Sequence, residues 1–138
     1  MRIMRMTAKN QQLIYPELSY QLNGIFFEVQ NKLGRYSTEK QYAEAIEELL
    51  KERGISYERE KEIIILFGNT EIKGNKVDFA IENKILVDAK AKKYITREDY
   101  LQMQRYLKSS NLKLGLIVNF KRKSVIIRRV INSKVQFA

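Results

Sequence analysis

Histidine and cysteine are absent from this 138-residue chain, and proline occurs once. Without cysteine there is no disulfide and no thiolate metal site, a usage that fits a cytoplasmic protein. Without histidine there is no Ser/His or Cys/His catalytic pair and no histidine zinc site. A bound metal would have to be held by carboxylate oxygens, which favours Mg2+ or Mn2+. No apolar run approaches the roughly 18 residues of a membrane span. The opening MRIMRMTAKNQQLIY is basic but lacks the continuous apolar stretch of about 7–15 residues that a signal peptide needs. The expectation is a cytoplasmic protein with no membrane partner.

What is present is a globular composition, 44% hydrophobic and 30% charged, in a length that suits one domain with a real core. The 26 Lys+Arg outnumber the 16 Asp+Glu, for a net charge of +10. Such a surface attracts polyanions by releasing their counterions, so nucleic acid is the leading partner. Basic thermostable or ribosome-associated proteins carry a similar excess, and charge alone does not separate them.

Residues 1–15 show no clean period and read as a basic, flexible arm; residues 16–138 read as a single domain. Pro16 suits the first turn of a helix, and Leu18, Leu22, Ile25, Phe26, Val29 and Leu33 continue it at helical spacing until KLGR. A second helix opens at STEKQ, with Thr38 and Gln41 spaced for a capping box, and stops at Gly54. From Tyr57 the period shortens. YEREKEIIILF reads as a strand and GNTEIKGNK as turns around a short strand. VDFAI and ILVDA then form a hairpin across ENK. A third helix, TREDYLQMQRYLKS, starts with Thr96 as N-cap, and LKLGLIVNF and SVIIRRV close the chain as strands. The order α-α-β-β-β-α-β-β predicts an α/β fold, a central mixed sheet flanked by helices.

The hairpin carries the chemistry. Side chains alternate along a strand, so Val77, Phe79 and Ile81 are expected on one face and Asp78 on the other. Likewise Leu86, Asp88 and Lys90 share a face opposite Ile85, Val87 and Ala89. If the strands pair across ENK, Asp78, Asp88 and Lys90 form one patch. Two adjacent carboxylates repel, a divalent cation relieves the repulsion, and the lysine can orient a water or stabilise developing charge. The alternative stays open that both aspartates face solvent, with Lys90 a weak ion-pair partner.

On the second helix Glu39 falls within the apolar stripe of Tyr42, Ala43, Ile46, Leu49 and Leu50, so it reads either as a third metal ligand or as a helix-dipole partner. On the third helix Gln102 and Tyr106 stack four apart, while Tyr100, Leu101, Gln104 and Leu107 are expected to make a mostly apolar face. Gln102 reads as a hydrogen bonder of water or phosphate, or as a solvated glutamine. Lys92 and Lys93, with Lys121, Arg122, Lys123, Arg128 and Arg129 of NFKRKSVIIRRV, offer a phosphate-contacting strip or a charge-protected edge strand.

The ordered set Glu39, Asp78, Asp88-Ala89-Lys90, Gln102 and Tyr106 resembles the PD-(D/E)XK nuclease superfamily, and more finely its GxxExxY family. NGIFFEVQNKLGRYSTEKQYAEAIEELLKERGI is similar to that family's opening, with Glu39 and Tyr42 on its E and Y. LQMQRYLKSSNLKLGLIVNF is similar to its later run, and Gln102 and Tyr106 match the QxxxY element of RecB-like nucleases. The resemblance covers about residues 18–130. It implies a restriction-endonuclease-like core in which Glu39, Asp78 and Asp88 bind magnesium, Lys90 supports the nucleophilic water and Gln102 assists. It also implies hydrolysis of DNA in repair, recombination or defence, or a non-cleaving module that keeps the fold. Tyr36 replaces the G of GxxExxY, Asp88 a commoner glutamate and Arg105 a usual asparagine. One small domain has a small footprint on a duplex, so a homodimer is expected in use.

Overall fold

The computed structural model describes residues 14–132, so the expected arm lies outside the described residues except for Ile14 and Tyr15. The elements are α1 (Pro16–Leu33), α2 (Glu39–Glu52), β1 (Tyr57–Phe67), β2 (Thr70–Ile81), β3 (Ile85–Lys90), α3 (Arg97–Ser110), β4 (Leu114–Asn119) and β5 (Ile126–Ile131). That is the expected order.

Local chemistry sets the helix ends. Pro16 begins α1, which stops at Gly34, where φ is 76° and the N–H bonds Gln30 O. Thr38 and Gln41 close a reciprocal capping box at α2, and Thr96 with Asp99 closes another at α3. No helix among the described residues is long and apolar enough to cross a membrane.

The described strands form one mixed sheet in sequential order, β1-β2-β3-β4-β5. Every neighbouring pair is antiparallel except β3 and β4, which run parallel with α3 as their crossover. Helices α1 and α2 cover one face, burying Phe26, Tyr42, Ile46 and Leu50 against Phe79, Val87, Leu116 and Phe120. Helix α3 covers the other, with Met103, Tyr106 and Leu107 against Leu86, Ile117 and Val130. Both central strands are therefore buried on two sides, which explains their nearly unbroken apolar runs.

Three expectations are corrected. GNTEIKGNK is not turns around a short strand: Gly68 and Asn69 make a two-residue hairpin, and the rest belongs to the 12-residue β2. The second turn signal is absorbed by a bulge, where the register slips between Ile63 and Ile65 and Gly74 takes φ 100°. On α3, Tyr100 and Leu101 are exposed, and the buried face is Met103, Tyr106 and Leu107, which sit at the i, i+3, i+4 spacing of one helix face toward the sheet.

The third correction lies at the hairpin. Phe79 and Ile81 pack under α1 and α2, but Val77 lies in the α3-side core with Ala80 and Leu86. Strict alternation fails between them, at Asp78. The neighbouring β1 is distorted too, with Glu60 at φ 53° between the Arg59–Phe79 and Lys61–Val77 pairs.

Candidate active site

The β2–β3 ladder runs from Ile81–Ile85 through Phe79–Val87 and ends there. The next pair would be Asp78 and Asp88, and here side chains replace the ladder. The Asp78 N–H donates to Asp88 Oδ1 at 3.0 Å, and the Ala89 N–H donates to Asp78 Oδ2 at 2.7 Å. Each carboxylate is fixed by the other strand's backbone, and each keeps one oxygen outside these bonds.

Asp88 is only 8% exposed. Burial, then the charge of Asp78, pushes its carboxyl up to about 6. Burial likewise raises Asp78, opposed by the Ala89 N–H and by Lys90. Lys90 acts on both aspartates through its charge, while its side chain makes no hydrogen bond or ion pair among the described residues. Arg59, unremarked in the sequence, also favours the charged form of Asp78.

Glu39 is exposed, not aimed into the core as its place in the apolar stripe suggested. As the first residue of α2 it stands where that stripe runs out of neighbours. Its carboxylate nevertheless accepts the Ala91 N–H at 3.2 Å, just beyond Lys90, and its charge reaches both aspartates. Tyr42 fixes this approach. Its hydroxyl donates to Gly34 O at 2.6 Å and accepts the Ser37 N–H at 3.2 Å, and its ring stacks on Phe120 at 4.3 Å. Phe120 N–H in turn donates to Lys90 O. A tyrosine three residues after the glutamate thus ties the loop before α2 to the end of β3.

From α3, Tyr106 is buried beside Asp88, its phenol pushed up by burial and then by that aspartate's charge. Gln102 is half-buried one turn earlier, and its side chain makes no hydrogen bond among the described residues.

The sequence matches the PD-(D/E)XK nuclease superfamily over residues 16–130. The chain belongs to that superfamily. The crystal structure of SSO0001 is similar in fold, with a TM-score of 0.53 and 22% identity, covering 65% of this chain and 48% of that one. The chain thus spans about half the length of that structure. No curated protein matches the sequence. The PD-(D/E)XK superfamily is one of nucleases, phosphodiester hydrolases that typically use divalent metals on nucleic acid.

The donor set is right for a hard cation: oxygen ligands only, with two carboxylates whose charges oppose one another. Among the described residues, however, no three acidic side chains converge closely enough to make a metal cluster as they stand. The Asp78–Asp88 pair fits a cation, and Glu39 stands at its edge.

Beside this aspartate pair lies a basic groove built from three loops at the same end of the sheet. The loop before α2 supplies Arg35 and Tyr36, the β3–α3 loop Lys93 and Tyr94, and the β4–β5 loop Lys121, Arg122 and Lys123. A second hollow continues it past Asn119 to Arg128. Among the described residues no carboxylate lines either hollow. Two side-chain amides fix the walls. Asn119, 1% exposed, accepts the Lys92 and Lys121 N–H groups and donates to Lys92 O at 2.8 Å. Gln30 Nε2 donates to Phe120 O and Arg122 O at 3.1 and 2.9 Å.

The expected phosphate strip is thereby divided. Lys93, Lys121, Arg122, Lys123 and Arg128 line the groove. Lys92 pairs with Asp99 at 2.7 Å. Arg129 turns under α1, donating to Ser19 Oγ and Ile14 O at 3.2 and 3.3 Å. Tyr94, Arg35, Gln30 and Asn119 escaped the sequence reading. An asparagine ending a wholly apolar strand, LIVNF, was the one available signal, since a buried amide demands partners.

Proposed function

We propose that this PD-(D/E)XK chain is a divalent-metal-dependent nuclease that hydrolyses phosphodiester bonds of DNA, with magnesium or manganese as its ion. The observation that carries this reading is the reciprocal capping of β2 and β3 by Asp78 and Asp88, which holds a half-buried and a buried carboxylate of like charge beside Lys90. Asp78 and Asp88 hold the ion, with Glu39 joining from α2. When bound, the ion supplies Lewis acidity toward a phosphoryl oxygen and lowers the pKa of a water. Lys90 orients the attacking water or meets the charge that develops on phosphate. Gln102 hydrogen-bonds water or phosphate, and Tyr106 packs behind Asp88. Lys93, Lys121, Arg122, Lys123 and Arg128 neutralise phosphates and set the register of the strand. The pattern from NGIFFEVQNKLG through Glu39 and Tyr42 supports placing the chain in the GxxExxY branch, and the absence of cysteine supports a cytoplasmic site of action. A homodimer in use follows from the small footprint; sedimentation showing only monomer with and without DNA would remove it.

The test is calorimetric titration of magnesium and manganese into wild type and Asp88→Asn, beside cleavage assays on branched, single-stranded and duplex DNA. Metal binding and cutting by wild type, both lost in the variant, are expected. A second reading, a binding module that does not cut, is favoured by one observation: no three acidic side chains converge among the described residues. DNA binding without either metal binding or cutting would select it.

A further inference from the structure

The groove is aromatic as well as basic. Tyr36 is 79% and Tyr94 60% exposed, and both line the same hollow. Exposed aromatic rings on a phosphate-binding surface are costly in water unless something covers them, and each ring here already has cations over it. The Arg35 guanidinium sits 5.2 Å from the Tyr36 centroid; Arg122 and Lys93 sit 5.3 and 5.7 Å from that of Tyr94. Arg122 is also tethered, donating to Lys93 O at 3.3 Å. Planar rings and planar guanidinium groups thus line one hollow, and Gln30 and Asn119 hold its loop backbone.

We infer that this groove binds an unpaired strand of nucleic acid, seating its bases on Tyr36 and Tyr94 while the flanking cations follow its phosphates. A blunt duplex offers phosphates to the cations but keeps its base faces stacked, so it cannot use the rings. Single strands and frayed or branched ends can. The inference rests on the nucleic-acid reading above and adds to it the substrate class, delivered to Asp78, Asp88 and Lys90 at the same end of the sheet.

The experiment measures binding without metal, in EDTA, so that cutting plays no part. Fluorescence anisotropy follows a labelled oligothymidylate of about 12 nucleotides, within the usual span of such sites, and a blunt duplex of equal length. Wild type is expected to prefer the single strand. Tyr94→Ala and Tyr36→Ala should each weaken single-strand binding roughly 5- to 150-fold, the usual cost of losing one stacked base. Their salt slopes should stay unchanged, since no cation is lost, and their duplex affinity should stay near wild type. Tyr94→Phe should bind as wild type, because the ring and not the hydroxyl carries the base. Both tyrosines are exposed, and unchanged melting temperatures confirm that the alanine variants fold. The inference is overturned if the alanine variants bind the single strand as wild type does, if they lose both ligands equally, or if wild type shows no preference or no binding. Cleavage with magnesium is scored separately. Cutting that persists while the tyrosine variants bind normally sinks this inference alone; stacking without any cutting sinks the nuclease reading alone.

Discussion

The aspartate pair and the basic groove are neighbours built on opposite principles. Asp78 and Asp88 sit on strands, carry like charge and are substantially buried, so their ionised forms are opposed by burial and by one another. The groove's cations sit on loops, apart from Arg128 on β5, and are largely exposed, with solvent to screen them. Its cost is borne elsewhere, by Asn119 and Gln30, which satisfy loop backbone. A site that must react concentrates unfavourable charge; a site that must only hold a strand needs shaped loops and screened charge. Stability and function should therefore be opposed in the first region and nearly independent in the second.

The sharpest break in that contrast comes from the chemistry. Lys90→Ala or Asp78→Ala should lower cleavage by at least about a thousandfold, roughly 4 kcal/mol of barrier, while oligonucleotide affinity in EDTA stays near wild type. Wild-type cleavage by both purified variants would remove the assignment.

Next comes stability. The Asp88 carboxyl is raised from 3.8 to about 6, so the folded state binds this proton more tightly than the unfolded state does. Protonated Asp88 is therefore favourable to folding below about pH 4, and that contribution is lost as pH rises through about 6, a loss on the order of 3 kcal/mol. Asp88→Asn should melt higher than wild type at pH 8, and the gap should close as pH falls from 7 to 4. Magnesium should raise the melting temperature of wild type at pH 8 but not of the variant. A gap independent of pH would mean that Asp88 is not under this strain.

What could be read from sequence follows the range of each interaction. The capping pair Thr38–Gln41, the N-cap Thr96 and the turn at Glu82–Asn83–Lys84 are set by residues within a few positions, and they appear where expected. Asp88 and Lys90 share a face because β3 is regular. Asp78 was harder: its strand breaks alternation there, and the break depends on Glu60 across the sheet and on the Ala89 N–H. Glu39 reaches Ala91 beside the stack of Tyr42 on Phe120, residues 78 apart in sequence whose contact no local pattern announces. The groove was least legible. Its rings and most of its cations come from three separate loops, and the run KRKSVIIRR does not say which of its two consecutive arginines faces the groove.

The groove's scaffold gives an intermediate effect. Asn119→Ala leaves the Lys92 and Lys121 N–H groups and Lys92 O without their partner, which should cost about 1–3 kcal/mol in urea unfolding. Oligonucleotide affinity should fall with it, because the walls loosen, while metal binding at Asp78 and Asp88 persists. Loss of metal binding in a folded variant would show that the two regions are one unit.

The smallest and most discriminating effect separates two adjacent arginines. Arg128 lines the groove beside Lys93 and Arg122, so Arg128→Gln should reduce the salt slope by the share of about one phosphate, near 0.7 for a single strand. Its stability should stay within about 0.5 kcal/mol of wild type. Arg129 instead donates to Ser19 Oγ and Ile14 O, linking β5 to α1. Arg129→Gln should therefore lose about 1 kcal/mol of stability and keep the wild-type slope. Strand alternation alone makes this division, since successive side chains leave β5 on opposite faces. Salt titration and urea unfolding on both variants measure it, and an equal loss of slope from Arg129→Gln would place both arginines on the nucleic acid and erase the boundary between scaffold and groove.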